Sequence, residues 1–71
     1  MNFQCAIELT GGDTLLKQHS IVTVVATKNG IEIDRFCATI EDLLICDFHN
    51  SRISEHTAYL KLKSHLNKVH Q

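Results

Sequence analysis

The sequence predicts an α+β fold: a three-stranded antiparallel sheet with two helices at the C-terminal end, the last packed on one sheet face. Three observations predict it. Asn29-Gly30 stands between two β-rich runs, IVTVVATK and IEIDRFCAT. A type I′ hairpin turn needs φ > 0 at both central residues, which Asn and Gly accept most readily. Phe3, Cys5, Ile7 and Leu9 alternate with Gln4, Ala6 and Glu8, the period-two pattern of a half-buried strand. Tyr59, Leu62, Leu66 and Val69 recur at helical spacing, with Ala58 beside them, and form one apolar stripe.

The first strand is expected over Phe3–Leu9, and Thr10-Gly11-Gly12-Asp13 breaks it. Thr14 to Ser20 reads either as a short helical turn or as a loop that tucks in Leu15 and Leu16. The Gly-Gly pair lacks the lysine and serine that a phosphate-binding loop places after it. The hairpin strands are expected over Ile21–Lys28 and Ile31–Thr39. A two-residue turn pairs Lys28 with Ile31, Ala26 with Ile33 and Val24 with Arg35. That register puts Val22, Val24, Ala26, Ile31 and Ile33 on one buried face, but it also turns Arg35 inward and Phe36 outward. One extra residue at Asp34-Arg35, a β-bulge, returns Phe36, Ala38 and Ile40 to the buried face. The alternative is a sheet with two apolar faces, the second used for dimerisation.

Thr39 has the features of a helix N-cap. Its hydroxyl can accept from the Asp42 amide, and Glu41 and Asp42 fall in the first turn, where the helix dipole favours acids. Glu41 to Phe48 is therefore read as a short helix, although LLICDF also suits a short buried strand. His49-Asn50-Ser51 connects onward, and Ser51 or Ser54 can cap the last helix, expected over about Ser54 to His70. Lys61, Ser64 and Lys68 occupy its polar side. Leu60 is the exception there, projecting roughly 100° away from Tyr59 into the polar face between Ser64 and Asn67.

Seventy-one residues make one domain, 1–71. A chain this short buries only about 60% of its unfolded surface, and dimerisation is a common way to hide more. The apolar fraction of 44% is that of a folded protein. No apolar run approaches the length of a membrane span. MNFQCAIELTGGD has no basic start followed by an apolar stretch, so a signal peptide is not expected and a cytosolic protein is. Three cysteines, Cys5, Cys37 and Cys46, without a C-x-x-C, argue against a disulfide scaffold. The net charge of −1 gives no general pull toward nucleic acid or membrane. Charge is nonetheless segregated: acids dominate Ile31 to Asn50, whereas Leu60 to Gln71 holds Lys61, Lys63 and Lys68 and no acid.

The chemical motifs are sparse. Cys5 and Cys37 fall at alternating strand positions, and Cys46 has His49 nearby but no third group to orient the imidazole. Cys46-x2-His49 and His65-x4-His70 carry metal-ligand residue types. Residues five apart on a helix diverge by about 140°, however, so His65 and His70 do not converge. The acid pairs Glu41–Asp42 and Glu32–Asp34 are accounted for by a helix start and an exposed strand. No cofactor, metal or small-molecule substrate is therefore expected, and no enzymatic activity. Two binding functions remain. The first is protein–protein binding, as an accessory regulator or inhibitor and a homodimer, through Leu60, Lys61, Ser64 and Lys68. The alternative is nucleic-acid binding by the basic C-terminal helix, which carries fewer cations than a phosphate-tracking surface normally does.

Overall fold

Strong turn chemistry at Asn29-Gly30 organises the chain as the sequence predicts. In the structure, a computed structural model that describes residues 2–9, 17 and 19–69, Asn29 has φ +54° and Gly30 φ +80°. The flanking strands are β2 (Ile21–Lys28) and β3 (Ile31–Thr39), and β1 (Phe3–Glu8) pairs antiparallel with the other side of β2. The Asn29 amide donates to the Asn2 carbonyl at 2.9 Å, which ties the start of β1 to the turn. Two helices follow, α1 (Ile40–Ile45) and α2 (Glu55–Val69), with α2 packed on β1 and α1. The expected break at Thr10–Asp13 and the Leu15–Leu16 segment lie outside the described residues.

The bulge is present, one residue earlier than expected. Thr27 pairs with Glu32 and Ala26 with Asp34, so Ile33, not Asp34-Arg35, is the extra residue. The shift has a physical reason. It turns Asp34 to the helix side, where the Tyr59 hydroxyl donates to it at 2.7 Å and Lys63 pairs with it at 3.2 Å. Phe36 and Ala38 face inward as expected, but Ile31 and Ile33 are exposed rather than part of the core. Arg35 falls on the opposite face, directly beside Val25. From there its guanidinium crosses β2 to Glu8 at 3.0 Å and reaches Glu32 at 2.7 Å. Val25 is buried although it faces away from the helices, because this ion-paired side chain lies over it.

Thr39 caps α1 with a full capping box: the Asp42 amide donates to its hydroxyl at 3.1 Å, and its own amide donates to the Asp42 carboxylate at 3.0 Å. The helix reading of this stretch is therefore the correct one, but it is shorter than Glu41–Phe48. Asp47 takes φ +57°, the Phe48 amide donates to the Leu43 carbonyl at 2.9 Å, and the Asp47 amide to the Leu44 carbonyl at 3.2 Å. This is a Schellman motif with aspartate where glycine is usual. Ser54 caps α2, accepting from the Thr57 amide at 3.1 Å.

The core lies between the sheet and the helices. Val22, Val24, Ala38, Leu43, Cys46 and Leu62 form it, and Ile7, Phe36, Phe48 and Leu66 pack around the rim. Besides Ile31 and Ile33, two further expected core positions are not in it. Leu9 lies beyond the end of β1 and is exposed. Val69 is also exposed, because the core ends at Leu66 and the last turn of α2 projects past it. No helix among the described residues is long and apolar enough to cross a membrane.

Candidate docking groove between the helices

The face of α2 next to its buried stripe carries Leu60, Lys61, Ser64, His65 and Lys68. These positions share one side of a helix. Because α1 ends abruptly at its Schellman turn, Ile45 is left standing beside this face. The result is an open groove of about 470 Å3 between the helices, and all four residues expected from the sequence to contact a partner line it. Leu60 is 52% exposed and Ile45 61%. Leu44, next to Ile45, is exposed as well. Two apolar side chains thus form a wet floor, and Lys61 and Lys68 flank it with Ser64 between them.

Cys46 lies beneath the groove, buried, its Sγ 3.9 Å from the Lys61 carbonyl oxygen to which it can donate. Burial pushes its thiol pKa up, and the nearby Asp42 carboxylate adds to that. His65 anchors the wall. Its Nε2 is 2.9 Å from Asp42 Oδ1, which joins α2 to the first turn of α1. Burial works against a charge on Asp42. Hydrogen bonds from the Thr39 amide, His65 and the Thr39 hydroxyl outweigh it and hold the carboxyl below its ordinary value. Asp42 is thereby fully engaged inside the protein, and no carboxylate among the described residues lines the groove.

The other candidate chemistries separate in space. His49 lines a second concavity with Cys5 and Phe48, whereas Cys46 lines the first, and His70 lies outside the described residues. Among the described residues no three potential metal ligands converge. Burial raises the Cys5 thiol to about 11, with the Glu55 and Asp34 carboxylates acting in the same direction, so it is protonated at neutral pH. The three lysines of α2 do not form one cationic track. Lys63 points away from Lys61 and Lys68, is paired with Asp34, and sits 4.7 Å from the Phe36 ring centroid.

Sequence reasoning missed Ile45, the apolar partner of Leu60. Nothing local marks it, since its exposure depends on where α1 stops and where α2 returns. Comparison with family models, with curated proteins and with solved structures finds no match for this chain.

Proposed function

We propose that this chain is a non-enzymatic, cytosolic binding protein of the accessory or inhibitor type. It docks a segment of another protein in the groove between α1 and α2. The partner segment carries apolar side chains flanked by carboxylates. One observation carries the reading: Ile45 and Leu60 lie exposed in the same groove as two cations, Lys61 and Lys68, with no acid lining it among the described residues. Covering a half-exposed leucine and isoleucine recovers burial free energy of about 1 kcal/mol each. The lysines select a partner of opposite charge and speed encounter. The protonated thiols of Cys5 and Cys46 support a non-catalytic role, because the thiolate is the nucleophile.

A second copy is the less favourable occupant. A two-fold contact places the same patch on both sides, so Lys61 and Lys68 approach their own counterparts. Nucleic acid is less favourable too, because two lysines neutralise few phosphates.

Fluorescence anisotropy with two synthetic helical peptides tests the proposal. They share one leucine pattern, and one has glutamate and the other lysine at all remaining charged positions. The acidic peptide is expected to bind, and Leu60→Asp to weaken it by more than about tenfold with only a small change in the melting temperature. Equal binding of both peptides, or undiminished binding by the variant, refutes the groove. Self-association abolished by Leu60→Asp in sedimentation assigns the groove to a second copy instead. Tight, salt-sensitive oligonucleotide binding assigns the helix to nucleic acid.

A further inference from the structure

A different concavity lies at the other end of α2, and it is built mainly of rings. Phe3 of β1 meets His56 edge-on, with ring centroids 4.9 Å apart and planes at 82°. Tyr59 tilts against Phe3 at 5.4 Å. His56 and Tyr59, one turn apart on α2, lie nearly parallel at 6.5 Å. Ile33, freed from the ladder by the bulge, and Lys28, the last residue of β2, complete a cleft of about 370 Å3.

The cleft is held open from behind. The Tyr59 hydroxyl donates to Asp34, and Asp34 also accepts from the Arg35 amide at 2.9 Å and from Lys63. Lys63 lies in turn over Phe36. Tyr59 is therefore fixed in place without any ligand, and its one polar group is turned to the protein. The lining is two carbocyclic rings, an imidazole, an isoleucine and one lysine. Lys28 is the cation among the lining residues, and no carboxylate among the described residues pairs with it. Three rings and an isoleucine select a flat apolar body. An ammonium beside them selects an anion attached to it.

We propose that this cleft binds a small aromatic monocarboxylate, its ring against Phe3, His56 and Tyr59 and its carboxylate on Lys28. The site is separate from the α1–α2 groove and stands or falls independently of it.

Two-dimensional amide NMR with 2-naphthoate tests it, alongside two probes of the same ring: neutral 2-naphthylmethanol and cationic 2-naphthylmethylammonium. Saturable shifts are expected at Phe3, Lys28, Ile33, His56 and Tyr59 with naphthoate, weaker ones with the alcohol, and none with the ammonium. Lys28→Gln should weaken naphthoate about fivefold while leaving the alcohol unchanged. His56→Ala should weaken both. Lys28 and His56 are exposed, so both variants keep the fold. The proposal is overturned if naphthoate gives no saturable shifts, if it shifts residues elsewhere, if the alcohol binds as well as the acid, or if both variants bind like the wild type.

Discussion

Leu62 and Leu60 stand two positions apart on α2 and meet opposite surroundings. Leu62 is 0% exposed, enclosed by the core of Val22, Val24, Ala38 and Leu43. Its truncation to alanine removes the transfer free energy of the lost carbons and leaves a cavity that two neighbouring strands and a capped helix cannot readily collapse. The expected cost is about 3–4 kcal/mol. A chain of this length is stable by roughly 4–10 kcal/mol in total, so Leu62→Ala should remove a third or more of it. In a domain this small each kcal/mol moves the melting temperature by about 4–8 °C, which puts the expected fall near 15–25 °C. Leu60, 52% exposed, loses little already-buried surface on truncation. Leu60→Ala should cost under about 1 kcal/mol. Thermal unfolding followed by circular dichroism measures both variants under one set of conditions. Equal shifts, or a larger one for Leu60→Ala, would place α2 in a different rotational phase and dismantle the core described here.

Three further outcomes follow from the same geometry. Gly30→Val should destabilise by more than about 1 kcal/mol, because φ +80° is strained for a β-branched residue although the space around Gly30 is open; an unchanged urea midpoint would contradict the turn assignment. Asp47→Gly should raise stability by about 0.5 kcal/mol, since glycine occupies φ +57° without strain, less the loss of the Asn50 hydrogen bond at 3.1 Å to Asp47; destabilisation in the same urea assay would argue against the Schellman turn. Tyr59 is the single tyrosine and the chain has no tryptophan, so near-ultraviolet tyrosinate absorbance reports it alone. Its hydrogen bond to the Asp34 carboxylate, aided by burial, pushes its pKa up to about 12 from 10.0. The folded value is the raised one. The stabilisation is therefore present below pH 10 and lost as the pH climbs toward 12. Asp34→Asn should bring the midpoint down toward 10, and a wild-type midpoint already at 10 would break the Asp34–Tyr59 link.

Features set by adjacent residues were legible in the sequence. Asn29-Gly30 determines its turn through its own backbone preferences, and Thr39 meets Asp42 three residues on whatever the rest of the chain does. Helical phase alone placed Leu60 outside the core, on the polar face between Ser64 and Asn67. Features set by distant partners were not legible. The bulge sits at Ile33 because Asp34 is drawn to Tyr59, 25 residues away in sequence. The stop of α1 rests on an aspartate in a left-handed conformation, where no glycine advertises a helix end. Ile45 joins Leu60, and Phe3 joins His56, only after the chain has folded back. Val69 kept the period of the stripe but lost its neighbours where the core ran out.

The groove's selection by charge is the claim on which the functional account depends, and reversing that charge tests it most directly. Lys61→Glu with Lys68→Glu alters two exposed side chains that lack ion-pair partners among the described residues, so the fold should persist. In anisotropy titrations at low salt the double variant should lose the acidic helical peptide and gain its lysine counterpart, with Leu60→Asp abolishing the gain. Binding of the acidic peptide by wild type and double variant with the same Kd would contradict recognition by Lys61 and Lys68, and with it the docking function assigned to this face.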